Sequence, residues 1–248
     1  LFALNVPIIS IARWGHGAIV IAFLELFSLT LIWRAHTVRA TQSLILVWLA
    51  SISAGIGVQL YVGARPFLLL FPLFYLWYIR FGQQSLGHKV KSVFVSCLTI
   101  MLCLAPLLMQ LNTERFSVIW RMQEVSIIDP SGGIRGNVAA VVHNVAIYGG
   151  ALFGQIDPNL RHNPTRTAVF PYLLGVFVPV GLSLLLVQRS TRKHGLFLLI
   201  ALITTSAGGL LSAEAPSYFR MYGVIPILIV ILAYGFVKTI GFLVKRFV

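Results

Sequence analysis

Apolar residues run along this chain in long unbroken blocks, without the alternation of a half-buried strand or the polar face of a surface helix. Residues 17–33 (GAIVIAFLELFSLTLIW) form one such block. A transmembrane helix needs about 20 mostly apolar residues, within a range of about 17–25. Further blocks lie at 43–61, 66–79, 93–109, 170–188, 196–212 and 223–243, and the short 66–79 block must borrow from its flanks. The pattern predicts an all-α fold, a polytopic transmembrane helix bundle of about seven spans, with 1–11 as the end of an eighth.

The blocks stop between 110 and 169, which is too polar to cross a bilayer. Two helix-like pieces are expected there, near 113–127 and 136–152, lying at the interface. The Gly/Pro/Asp/Asn-rich GQIDPNLRHNPTR at 154–166 reads as loop and turn chemistry. The expected organisation is transmembrane helices in 1–109, an outer loop region in 110–169 and C-terminal transmembrane helices in 170–248.

Composition sharpens this reading. Of the 248 residues, 58% are hydrophobic and 10% charged. Soluble domains average about 45–50% apolar and about 25% charged. Disorder is excluded, because it needs low hydrophobicity. A pI near 10.5 would suit a nucleic-acid binder, but such surfaces are not embedded in apolar runs of this length, so no nucleic-acid partner is expected. Cys97 and Cys103 share one block without Cys-x-x-Cys spacing and read as packing residues. The chain opens Leu-Phe-Ala-Leu, with neither Met nor a charged n-region, which is not a signal peptide. A start inside apolar sequence predicts an upstream part of the protein.

Charge adds the most. The net charge is +13, from 19 Lys and Arg against 6 Asp and Glu. The positive-inside rule assigns one set of loops to the cytoplasm. That set holds Arg34, Arg39, Arg80, Lys89, Lys91, Arg189, Arg192, Lys193, Lys238, Lys245 and Arg246. The opposite side holds Arg13, Arg65, Arg115, Arg121, Arg135, Arg161, Arg166 and Arg220, with Glu114, Glu124, Asp129, Asp157 and Glu214. Every Lys is on the first side, and all the outer cations are Arg. Arg grips phosphate and carboxylate in a bidentate way. Ion pairs with the outer acids and snorkelling to the interface are the simpler account. The surplus of eight cations over five acids suits an anionic ligand, such as a lipid-linked phosphate.

Five segments carry a family pattern. They are NVPIISIARWG at 5–15, GIGVQLYVGARPFLLLFPLF at 55–74, RMQEVSI at 121–127, GQIDPNLRHNPTRTAVFPYLLGVFVPVGL at 154–182 and EAPSYFRMYGVIPIL at 214–228. Together they resemble the GT-C superfamily of membrane glycosyltransferases. The resemblance is to the bacterial branch related to protein mannosyltransferases and the aminoarabinose transferase of lipid A. The Asp-Pro-Asn-x-Arg-His-Asn run is the most specific part. The resemblance implies transfer of a sugar from a polyprenyl-phosphate donor to a lipid, glycan or protein acceptor on the outer face of the membrane. Some branches need a divalent metal and others do not, so no cofactor is fixed. The general base of such enzymes is an acid in a first outer loop, expected here upstream of Leu1, which leaves the catalytic residue unassigned. Relatives often carry an Asp shortly after the residue matching Arg13, where this chain has His16 and Gly17.

Candidate site residues follow from position and chemistry. Arg13, Arg65 and Arg220 are candidates for the donor phosphate, with interfacial snorkelling or capping as the alternative. Arg13 and His16 fall one turn apart on one face. Asp157, Asn159, Arg161, His162 and Asn163 are candidates for sugar or acceptor hydroxyls, against a loop bonded to itself. Asp157 and His162 alone are too few ligands for a zinc site, and no metal is assigned. Arg121 and Glu124 are a further substrate-contacting pair, or a helical salt bridge beside Trp120. Glu25 lies inside a span, where an ionisable group is a functional candidate or a bond to a neighbouring helix. His143 and Tyr148 on the second outer helix read as packing, and Phe71, Phe74, Tyr75, Trp77 and Tyr78 as an aromatic belt or lipid-facing packing.

Three classes of function remain: a lipid-linked-sugar glycosyltransferase, a transporter or flippase of such lipids, and a non-catalytic protein of envelope assembly. Transporters gather polar residues at the midplane. Here they gather outside, which favours an enzyme at the outer face of a plasma or inner membrane.

Overall fold

The computed structural model describes residues 17–60, 64–113, 126–129, 131, 133–151, 153–154, 170, 172–217, 220 and 222–247. Among them the structure is all helical, apart from an isolated antiparallel bridge between Ser126 and Ser212. In chain order the helices are α1 (Gly17–Ala35), α2 (Ala40–Leu60), α3 (Arg65–Leu70), α4 (Pro72–Phe81) and α5 (Leu86–Thr113). They continue as α6 (Gly133–Ala151), α7 (Tyr172–Gly175), α8 (Phe177–Val187), α9 (Arg192–Leu210) and α10 (Val224–Phe247).

Among the described residues four helices are long and apolar enough to cross a membrane: 40–60, 86–109, 192–210 and 224–246. The block at 17–33 forms α1, 19 residues long. The block at 66–79 is not one helix. It divides at Phe71 into α3 and α4, because Pro66 and Pro72 each sit in a first turn, where a missing N–H is tolerated. The block at 170–188 becomes the one-turn α7 and the 11-residue α8. The second outer piece, expected at 136–152, is α6; the piece at 113–127 lies outside the described residues except for its edges.

Two groups of helices form the body. α1 packs on α2, and α2 on α5; α8, α9 and α10 pack on one another. The short α3 and α4 join the groups by packing on α9. Their aromatics are not a lipid-facing belt: Phe71, Phe74, Tyr75, Trp77 and Tyr78 are all buried, and the packing extends to Phe197 of α9. The expectation failed because the rings lie on the face that packs on α9, where they fill the junction, while Leu69 and Leu76 of the same segment are exposed.

With no bulk water in the hydrocarbon, polar groups must find partners inside the protein. Ser43 bonds the Tyr78 hydroxyl at 2.6 Å, and Ser51, Tyr75 and Ser96 bond one another, tying α2 to α4 and α5. Backbone carbonyls take the rest: Lys89 Nζ donates to Ile79 at 2.8 Å, and Trp77 Nε1 to Lys193 at 2.9 Å. Gln84 Nε2 donates to the carbonyls of Ala35 and Val38, and Gln83 N to that of His36. These bonds bring the loops after α1, α4 and α8 to one end. Tyr234, whose hydroxyl donates to Gln188 Oε1 at 3.2 Å, brings the second half of α10 to the same end. All five lysines lie on segments at this end.

α8 and α10 cross at backbone contact. A Cβ on Gly181 would strike the Ile231 carbonyl and Gly235, and one on Gly235 would strike the Phe177 carbonyl. Small residues drive helix association in lipid by allowing this approach. Gly181→Leu is expected to lower the melting temperature by several degrees, since overpacking costs about 1–3 kcal/mol. Gly241→Leu, whose Cβ meets nothing within 4 Å, should leave it unchanged. Thermal melts followed by size-exclusion chromatography test the contrast.

His36, in the turn after α1, donates from Nδ1 to the Trp33 carbonyl and lies against Trp77. Burial lowers its pKa from the usual histidine value; the Trp33 bond opposes this and the Lys193 charge adds to it. The unfolded chain therefore binds the proton more readily, so stability is greatest above the ordinary histidine range and falls as pH drops through it. A melt series between about pH 7 and 5 should show this fall, and His36→Gln should reduce it.

Candidate functional site

The other end of the bundle is organised by the end of α9. The last carbonyls of a helix have no partners within it. Here Asn144 of α6 donates from Nδ2 to the carbonyls of Leu210 and Ser212, both at 2.9 Å. Ile127 N donates to the Leu211 carbonyl at 3.0 Å. One turn on from Asn144, the Tyr148 hydroxyl accepts from Ser217 N at 3.0 Å. Asn144 and Tyr148 are buried, while Ile134, Val138, Val142 and Val145 of the same helix are exposed. α6 thus holds a polar clamp on one face and leaves an apolar face open.

Its start is fixed locally. Asp129 accepts from the backbone N and hydroxyl of Ser131, and its own backbone exchanges bonds with Asn137. Gly133 takes φ of 62°, a left-handed conformation suited to glycine.

The segment after α9 carries Arg220. Its Nη2 meets Glu214 at 3.0 Å and its Nη1 donates to Ser212 Oγ. Ser212 Oγ also accepts from Glu214 N at 3.0 Å. The residue expected to hold a phosphate is therefore held by an acid and a hydroxyl. Glu214 is 68% exposed, and an ion pair of that kind is weak enough to open for a competing anion.

Arg65 begins α3, which packs on α9. Its Nε is buried with no hydrogen-bond partner among the described residues, and so is Ser217 Oγ. A buried donor left without a partner is costly, about 1–3 kcal/mol, and is rare in a folded chain. Both atoms belong to the end that carries Arg220.

Glu25 is also placed. It lies in α1, 7% exposed, with its carboxylate against Gly223. The remaining candidates, Arg13, His16, Arg121, Glu124, Asp157, Asn159, Arg161, His162 and Asn163, lie outside the described residues. Among the described residues no group of three His, Cys, Asp or Glu comes together as a metal site would require.

Asn144 and Ser212 escaped the reading of the sequence. The signal for Asn144 was its i, i+4 spacing from Tyr148, which puts two hydrogen-bonding side chains on one face of an otherwise apolar helix. Ser212 carried no signal, since its importance comes from standing where α9 ends.

Comparison with protein-family models, with curated proteins and with solved structures finds no match.

Asn144→Ala would leave two carbonyls without their side-chain donor. The expected loss is about 1–3 kcal/mol, with faster hydrogen exchange at 211–217 than in the rest of the bundle; Asn137→Ala should leave that segment unaltered. Exchange mass spectrometry reads both.

Proposed function

We propose that the protein is a multi-pass membrane glycosyltransferase of about seven spans. It would take a sugar from a polyprenyl-phosphate donor and pass it to an acceptor at the outer face of a plasma or inner membrane. The observation that carries this reading is the buried Arg65 Nε, without a partner among the described residues, at the end where Arg220 and Ser217 also lie. A guanidinium with a free donor suits a phosphate oxygen. A phosphate leaving group gains charge as the sugar departs, so a fixed cation there stabilises the transition state more than the ground state. Ser217 Oγ offers a neutral donor or acceptor at the same end, its carbonyl accepting from Arg220 N at 3.1 Å. The Glu214–Arg220 pair would open to release a second guanidinium to the donor. The resemblance to GT-C enzymes supports the reaction class; its acidic base and the loop at 154–166 belong to the same proposal.

One observation favours a second reading. Glu25 is an acid buried inside the bundle, as in proteins that move ions or substrates across membranes. A flippase would translocate a lipid-linked sugar without transferring it.

The full-length protein in proteoliposomes, supplied with a polyprenyl-phosphate sugar and an envelope extract as acceptor, tests both. Transfer is expected, with Arg65→Ala lowering kcat/KM about 100-fold and Arg65→Lys restoring only part of it. Unchanged activity in Arg65→Ala would remove the phosphate assignment. Translocation without transfer, lost in Glu25→Gln, would replace the enzyme with the flippase.

A further inference from the structure

A recess lies toward the opposite, lysine-bearing end and is independent of the outer site. It is a lateral groove of about 480 Å³ between α1, α8, α9 and α10. That volume is within the range of about 300–1,000 Å³ typical of small-ligand sites. Its walls are apolar, with Leu26, Leu29, Leu198, Ala201, Ile227 and Val230 among them. The groove exists because α1 packs chiefly on α2, while α8, α9 and α10 pack on one another. The two groups meet near the outer end, where Glu25 touches Gly223. They meet again at the inner end, where Trp33 contacts His194 and Phe197 at ring-centroid distances of 4.9 Å. Between these contacts the walls stay apart for about two helical turns, or about 10 Å. Val230 on the rim is 54% exposed.

The inner rim is different in chemistry. Thr191, His194 and Tyr234 line it, and Arg192, Lys193 and Lys238 flank them. Arg192 is fixed there: its Nε donates to the Leu186 carbonyl at 3.1 Å, and its Nη2 to that of Val187 at 3.4 Å. Lys238 Nζ stands 5.6 Å from the Tyr234 ring centroid. Of the three acids among the described residues, Asp129 and Glu214 lie with the opposite end and Glu25 at the far end of the groove. The three cations at the mouth have no carboxylate beside them among the described residues.

An apolar slot with a cationic mouth fits one kind of occupant. We propose that this groove binds a single anionic phospholipid of the leaflet at the lysine-bearing end. One acyl chain would lie along Leu26, Leu198, Ala201 and Ile227, with the phosphate held by Arg192, Lys193 and Lys238. Basic pockets between transmembrane helices bind anionic headgroups in this way. Trp33, His194 and Tyr234 line the same end of the groove, and aromatic side chains favour the headgroup level. A protein helix is the poorer fit, because the slot is about two turns long and a spanning helix needs about 20 residues.

The test uses the full-length protein, purified with lipid, stripped in detergent and reloaded with phosphatidylglycerol or phosphatidylcholine. Native mass spectrometry should show one retained phosphatidylglycerol and at least tenfold less phosphatidylcholine. Retention should fall at least tenfold in Val230→Trp, which fills the groove from its exposed rim, and in the combined Arg192→Ala, Lys193→Ala and Lys238→Ala variant. As a check independent of those folds, Val230→Cys should react with a maleimide in the stripped protein and be protected by phosphatidylglycerol alone. Equal retention of the two lipids would overturn the proposal. So would undiminished retention in Val230→Trp, or a Val230→Cys thiol already shielded in the stripped protein by another segment or a second copy.

Discussion

The carbonyls at the end of α9 must be satisfied at a membrane boundary, and the arginine-bearing end is built around that need. α9 is the helix on which α3, α4, α6, α8 and α10 all pack. Its final turn exposes acceptors that no residue of the helix itself can reach. Asn144 takes the Leu210 carbonyl of that turn and the Ser212 carbonyl just beyond it, and by doing so fixes α6 over the bundle. Tyr148, one turn along, then holds Ser217, and Ser212 holds Arg220. The placement of the candidate site therefore follows from a hydrogen-bond requirement of the backbone.

The same requirement shapes the opposite end with different materials. There, side-chain donors from Trp77, Gln84 and Lys89 reach backbone carbonyls of neighbouring loops and helices. Hydroxyl pairs lock α2 to α4 and α5 in the interior. Among the described residues neither end relies on buried ion pairs, which lose heavily to desolvation. Among the described residues the interior uses neutral hydrogen bonds, and apart from Glu25 the charged side chains are left to the ends. Two helix groups joined in this manner, pinned near Glu25 and near Trp33, leave the lateral groove between them as a consequence of the packing.

Much of the fold was legible in the chain. The long apolar blocks at 43–61, 93–109, 196–212 and 223–243 became helices near those bounds, because a 20-residue apolar run has few other solutions. The block at 66–79 forms two helices, and its aromatics, expected to be a belt or lipid-facing, are buried. Its two prolines permit a break, but whether the halves turn inward depends on the space beside Phe197, which no local pattern records. The site was legible only in part. Arg65 and Arg220 stood out as arginines on the wrong side for topology. That Arg220 has Glu214 and Ser212 as partners, while Arg65 keeps a buried Nε without one among the described residues, depends on contacts across distant segments.

By itself the sequence determined the class of structure and its polarity. Hydrophobic runs of bilayer length make helices obligatory, and the confinement of lysine to one set of loops marks the two ends before any contact is known. The tertiary structure decided what those residues do at each end. Gly181 and Gly235 matter because two backbones cross there, Asn144 because a helix ends beside it, and Arg192 because the end of α8 lies within its reach. The physical reason is one of range. Hydrophobicity and charge act on each residue against its solvent, whereas hydrogen bonding and close packing act between residues that only the fold brings together.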